Sequence, residues 1–383
     1  MKGHVARFAI ACLAIVTASA SAVAQISVPA PKEPSPADTI LLKDYRPTSI
    51  YKVTATRVEK ARYPIIDMHS HPYAETADEI AEWVWTMDAV GVERTMLLTW
   101  ATGAKFDEVA AKYAKYPTRF GLWCGFDFTG YDKPGYGPAA IAELERCHTA
   151  GAIGVGELGD KGKGLIYGDP QALGMHIDDP RMDGLLERCA DLGMPVSIHV
   201  AEPMWMYEHM DSHNDGLMNA SEWRLDNQQG IVDHQGMVDT LERAVKKHPR
   251  TIFIACHFAN CCYDLSILGR LFDTYPNLYA DIGARYAETA TIPRFAAKFM
   301  TKYQDRLVYG TDMGFDRPMY ETTFRILETD DDHFYDYDMS TYHWAMNGFA
   351  LSGPVLRKLY RANALKLLAT AAAHRARAAK PGR

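Results

Sequence analysis

The chain has 383 residues, 48% of them hydrophobic and 23% charged, with a formal net charge of −7. That balance excludes a disordered or low-complexity protein and supplies enough apolar residues for a sizeable core. The acidic charge argues against sequence-independent nucleic-acid binding, which needs a basic surface.

Residues 1–24 read as a secretory signal peptide. Lys2 and Arg7 make a basic start, Phe8 to Val16 is a short apolar run, and Ala22-Val23-Ala24 offers small residues to a signal peptidase before Gln25. The apolar run is too short to span a bilayer as a stable helix. The expectation is an exported protein, periplasmic or secreted, with no stable membrane anchor. Cleavage removes Lys2, Arg7 and no acid, so the formal charge moves from −7 to −9. Residues 25–61 read as a linker or arm, with Pro29, Pro31, Pro34 and Pro36 among small polar residues at its start.

From residue 62 onward, short apolar strands alternate with helical patterns. Expected strands are Ile65–Met68, Thr95–Leu98, Phe120–Phe126, Ile153–Leu158, Pro195–Val200, Ile252–Cys256, Leu278–Ile282 and Leu307–Gly310. Helices are expected near 77–90, 104–116, 138–150, 181–192, 237–248, 265–275, 293–303 and 354–370. The strands are near-continuous apolar runs, as parallel strands buried on both faces require. Eight βα units in order predict an α/β fold of the (β/α)8 TIM-barrel class over residues 62–370. An open doubly wound sheet would place a glycine-rich turn after strand one, where this chain has Asp67-Met-His69-Ser-His71. Three long connections, 159–180, 201–234 and 313–353, follow strands four, five and eight at the face where barrel enzymes build their sites. Residues 371–383 read as a flexible basic tail. Six cysteines lie outside the signal, from Cys124 to Cys262. Most sit within strand or helix patterns and read as small buried hydrophobes; any pairing is not decided by sequence.

The chemistry gathers at strand ends. His69 and His71 are two apart at the end of strand one, so both project to one face. His199 closes strand five, His257 closes strand six, and Asp312 follows strand eight. Polar residues at the tops of four otherwise apolar strands converge on one mouth if the barrel closes. A mixed imidazole and carboxylate set suits a divalent cation. Glu157 ends strand four as a further ligand or as a hydrogen-bonded neighbour of the ligands. Asp67 either orients a ligand or caps local backbone. Arg285, after strand seven, suits an anionic substrate or pairs with a loop acid. Trp205 stands among the aromatics of 201–234, which either wall a pocket or pack on one another.

With Ile66-Asp-Met-His-Ser-His71, the His199 and His257 strand ends, and Tyr309-Gly-Thr-Asp312, the chain resembles the amidohydrolase superfamily. It is most similar to the amidohydrolase-related branch that includes aminocarboxymuconate semialdehyde decarboxylase-like proteins. The resemblance covers about residues 62–370. It implies a (β/α)8 barrel and a metal, commonly zinc, one or two per chain, held by His69, His71, His199 and Asp312. It implies His257 as a ligand of a second metal or a polarising group, and Asp312 as the general base toward metal-activated water. Glu157 departs from the single-metal pattern of the decarboxylase-like members and matches the bridging carboxylate of two-metal members. The expected function is therefore metal-dependent hydrolysis of a small amide, lactone or ester, with non-oxidative decarboxylation as the alternative on the same site. Partners are expected to be a small-molecule substrate and no nucleic acid; the large aromatic loops make room for a homodimer.

Overall fold

The computed structural model describes residues 35–337 and 344–378, with the backbone alone over 374–378. The signal peptide, the start of the arm, Tyr342 and His343, and residues 379–383 of the tail lie outside the described residues. The chain divides into two units, 1–44 and 45–383. In the first, Pro36–Thr39 forms one helical turn whose N-terminus Ser35 caps.

In the second unit, eight parallel strands follow one another around a barrel: β1 Ile65–Ser70, β2 Val92–Leu98, β3 Phe120–Cys124, β4 Gly154–Asp160, β5 Val196–Val200, β6 Phe253–Ala255, β7 Leu278–Asp281 and β8 Leu307–Val308. Backbone bonds past the end of β8 close the ring: Met68 N–H donates to Tyr309 O at 2.9 Å, and Thr311 N–H donates to His69 O at 3.0 Å. Gly310 permits this approach, since a Cβ there would stand 2.6 Å from the His69 Cβ. Each expected strand is present to within a few residues. A two-rung hairpin, Gly164–Leu165 with Ala172–Leu173, folds back on the end of β4.

The helices start and stop where their end residues dictate. Thr76 and Glu79 form a reciprocal capping box at the head of Ala77–Val90, and Gly91 ends that helix in the left-handed conformation, φ 92°. Outer faces of the strands and inner faces of the helices share one large apolar cluster, in which Trp83 and Phe106 are fully buried. A second cluster joins Ile66, Met68, Met96 and Ile254 to Ala364 and Leu367 of the last helix. All six described thiols are free and buried, as the small-hydrophobe reading expects.

Three expectations are corrected. Residues 313–353 are not one loop: Arg317–Glu328 is a helix that buries Met319, Tyr320, Thr323, Phe324 and Leu327, and Pro318 opens it rather than breaking it. Within that segment Phe315 stacks on Trp83 at 4.9 Å. The arm is not free over its second half: Thr56 bonds Asp331 through both N–H, at 2.6 Å, and hydroxyl, at 2.8 Å, and Ala61 N–H reaches Val90 O. The last helix does not end near Thr370 but runs Asn363–Ala378. Among the described residues, no helix is long and apolar enough to cross a membrane.

Candidate metal centre

The barrel brings His69, His71, Glu157, His199, His257 and Asp312 to one mouth. These six side chains come from β1, β4, β5, β6 and β8 or from the turns just past their ends. The distances define a tight cluster. His71 Nε2 lies 3.0 Å from Asp312 Oδ1 and 3.5 Å from Glu157 Oε2. His69 Nε2 lies 3.6 Å from Asp312 Oδ1 and 3.8 Å from Glu157 Oε1. On the other side, Glu157 Oε1 stands 3.0 Å from His199 Nδ1 and 3.3 Å from His257 Nε2. His257 Nε2 is also 3.6 Å from Asp312 Oδ2.

Three of the imidazoles are pinned from behind. His69 Nδ1 shares a 2.9 Å bond with Asp281 Oδ2, His71 Nδ1 a 2.7 Å bond with Leu98 O, and His257 Nδ1 a 2.9 Å bond with Gly283 O. Acceptors at all three Nδ1 positions fix the proton there and turn the Nε2 lone pairs inward, the arrangement that orients metal-ligating histidines. His69 Nε2 is buried and makes no hydrogen bond. A buried imidazole nitrogen aimed at two carboxylates without a bond costs free energy that a divalent cation would recover. The donor set therefore fits such a cation. His69, His71 and Glu157 form one candidate ligand group, His69, His257 and Asp312 another, and Glu157, His199 and His257 a third.

The backbone is shaped for this purpose. His257, Phe258, Ala259 and Asn260 all take the left-handed conformation, with φ of 60°, 55°, 54° and 54°, and Asp312 does so at 53°. Such residues cost about 1–2 kcal/mol each. Side-chain bonds hold the turn: Asn260 donates to Val200 O at 3.0 Å and Ala201 O at 3.2 Å, and its Oδ1 accepts from Arg285 Nε at 2.9 Å and Nη2 at 2.7 Å.

Charges follow the geometry. Burial opposes ionisation of Glu157 and Asp312, but the surrounding imidazoles, His69 foremost, hold both carboxyls below their ordinary range. Burial likewise opposes protonation of His71 and His199, yet their carboxylate neighbours lift each to about 9. His257 is lowered, chiefly by burial.

The mouth opens into a cleft of about 360 Å³ walled by Trp100, Tyr167, Met206 and Trp223, with Lys161, Glu202 and Arg285 among its polar groups. Arg285 thus reaches the cleft, while Asn260 holds its guanidinium and Glu288 lies 3.7 Å away. Trp205 does not line this cleft. It occupies a neighbouring hollow, packs on Trp344 at 5.3 Å and donates to Asp215. The 3₁₀ turn Met204–Met206 sends successive side chains about a third of a turn apart, so Met206 faces in and Trp205 faces out. Asp67 caps backbone and touches no imidazole ring: it accepts from His69 N–H, from Thr311 N–H and from the Thr311 hydroxyl. Sequence reasoning missed Asp281, Glu202 and Tyr73, whose hydroxyl donates to Asp312 Oδ1 at 3.2 Å. Asp281 alone carried a readable signal, being a polar residue at the end of an apolar strand.

Comparison with known proteins agrees with this architecture. The chain is similar to the crystal structure of 2,6-dihydroxybenzoate decarboxylase from Rhizobium, at 17% identity and a TM-score of 0.50, over 80% of this chain and 99% of that one. It is similar to an amidohydrolase II structure at 14% identity and a TM-score of 0.50, over 80% and 99%. A dihydroxybenzoic acid decarboxylase from Polaromonas with bound manganese matches at 15% identity and a TM-score of 0.49, over 80% and 97%. No curated protein matches the chain. The amidohydrolase family model matches residues 53–370, and the chain belongs to that family of metal-dependent enzymes.

Proposed function

We propose that the protein is a hydrolase acting on a small amide, lactone or ester with two divalent cations, zinc or manganese, that His69, His71, Glu157, His199, His257 and Asp312 would hold. One observation carries this reading. The two carboxylate oxygens of Glu157 face different partners, Oε2 toward His71 and Oε1 toward His199 and His257, with His69 Nε2 3.8 Å from Oε1. A carboxylate so placed can join two ligand groups, one of His69, His71 and Asp312, the other of His199 and His257. Bound cations supply Lewis acidity to a carbonyl and lower the pKa of water to about 7.

The chain's own residues supply the rest. Asp312, ionised at neutral pH, accepts the proton given up by the attacking water and returns it to the leaving group. The Tyr73 hydroxyl holds its Oδ1 in place. Trp100, Tyr167 and Trp223 wall the substrate from bulk water, and Arg285 favours an anionic group beside the reacting carbonyl. The proposal includes export, on the reading of residues 1–24.

A second reading, non-oxidative decarboxylation, draws support from the fold shared with the Rhizobium 2,6-dihydroxybenzoate decarboxylase and from the aromatic walls of the cleft with Arg285 beside them, which suit an aromatic carboxylate. Metal per chain, measured on protein purified without chelator, separates the two. The hydrolase reading expects about two equivalents, falling to about one in Glu157→Gln, with turnover of ester, lactone or amide panels. About one equivalent, unchanged in Glu157→Gln, together with CO2 release from hydroxybenzoates would overturn it in favour of the decarboxylase.

A further inference from the structure

Glu202 lies two residues beyond the end of β5 and is buried, yet nothing in the centre described above uses it. It belongs to none of the candidate ligand groups. Its Oε2 stands 3.5 Å from His199 Nε2, and its Oε1 is paired with the Lys161 ammonium. His199 therefore sits between two carboxylates, with Nδ1 on Glu157 at 3.0 Å and Nε2 toward Glu202. His199 Nε2 is buried without a hydrogen bond. The other three histidines of the centre have their outward nitrogen fixed by Asp281, Leu98 O or Gly283 O. His199 differs from them in presenting Nδ1 to the ligand cluster, so its outward nitrogen is Nε2.

We propose that Glu202 is the positioning residue of His199. It accepts a hydrogen bond from Nε2–H, which leaves the Nδ1 lone pair for a cation that Glu157 and His257 would also hold. Lys161 is its anchor. The Lys161 ammonium lies 5.0 Å from the Trp223 ring and 5.8 Å from the Tyr167 ring, which hold it against Glu202. The loop that delivers Lys161 is built around buried Asp160, whose Oδ1 accepts from Gly162 N–H at 3.0 Å and Gly164 N–H at 3.1 Å. Gly162 has φ 101°, and a Cβ there would meet Val232 O at 2.6 Å, so the loop has little freedom to withdraw the lysine. A carboxylate behind a ligating imidazole fixes its tautomer and raises its basicity. The inference concerns metal capture and holds whichever reaction the centre performs.

The test is manganese and zinc affinity of the full chain, stripped of metal and titrated in competition with a chromogenic chelator. Glu202→Gln keeps an acceptor and Glu202→Met keeps only volume. The expected result is a graded loss, Met greater than Gln, reaching about 10- to 100-fold in the affinity of one equivalent, with the melting temperature of the metal-free protein preserved. The pair Lys161→Gln with Glu202→Gln removes both charges together and serves if either Glu202 variant alone fails to fold. Unchanged affinity in these variants would overturn the proposal. So would equal loss in Gln and Met accompanied by a lowered metal-free melting temperature, which would make Glu202 a structural ion-pair partner. A centre inactive in hydrolysis but showing the graded loss would sink the hydrolase reading and leave this one standing.

Discussion

Replacing Asp281 by Asn tests whether the tautomer of His69 is set from behind. Asp281 is fully buried, and it accepts from three donors: His69 Nδ1–H at 2.9 Å on Oδ2, and His257 N–H at 3.1 Å and Gly283 N–H at 2.9 Å on Oδ1. Burial opposes its charge, but His69 and these bonds hold the carboxyl below its ordinary range. An asparagine has one acceptor oxygen and one amide donor. If its oxygen stays on the two backbone N–H groups, its NH₂ faces His69 Nδ1–H; if it flips, the NH₂ faces both backbone donors. Either way a donor meets a donor. His69 relieves the first arrangement by moving its proton to Nε2, which removes the lone pair aimed at the metal. Losing a charge-assisted bond of this kind costs about 1.5–3 kcal/mol. Since about 1.4 kcal/mol is tenfold in an equilibrium constant, metal affinity should fall about 10- to 100-fold. Chelator competition on the metal-free chain measures it, with the metal-free melting temperature as the control for folding. A correctly folded Asp281→Asn protein with wild-type affinity would refute the reasoning.

Metal uptake should release protons. Without metal, His71 and His199 are carried to about 9 by their carboxylate neighbours, against burial, and His69 is raised as well. At neutral pH the metal must displace those protons, about two to three per chain. Affinity should therefore rise with pH and level off above about 9, and titration calorimetry in buffers of different ionisation enthalpy reads the proton count directly. Asp67 should behave oppositely to Asp281. Burial raises its carboxyl to about 7, against its bonds from Thr311 and His69. From the unfolded value of about 4 up to that pH the folded chain binds the extra proton, so this group's contribution to stability falls as pH rises. Asp67→Asn keeps the two backbone N–H bonds, and its amide can donate to Thr311 Oγ1, whose hydroxyl turns to His69 O at 3.3 Å. Its melting temperature should match wild type in acid and exceed it above neutrality, as scanned by thermal unfolding of the metal-free protein.

Asp67 and Asp281 also show where sequence reasoning reaches its limit. Each is an acid near the end of an apolar strand, and the sequence marks both equally. The strands were legible because eight apolar runs alternate with helical patterns, and the convergence of His69, His71, His199, His257 and Asp312 follows once those runs close into a ring. Which neighbour an inward carboxylate meets depends on cross-strand register, and register is fixed by backbone pairing that no single strand encodes. Asp281 lies across from His69, 212 positions away, whereas Asp67 meets the Thr311 turn, 244 positions away. Glu202 was harder still, because it sits beyond its strand in a loop with no period, and its partner Lys161 reads as one of two lysines among glycines. The helix Arg317–Glu328 was hidden for a different reason: it lies inside the long segment after strand eight, and the one helix expected after that strand is already placed near 354–370. The pattern is consistent. Residues whose place follows from the period of their own element were legible, and residues whose place follows from a contact between distant elements were not. The centre's ligands belong to the first group. The groups that aim those ligands belong to the second, and there a structure adds most to the account of function.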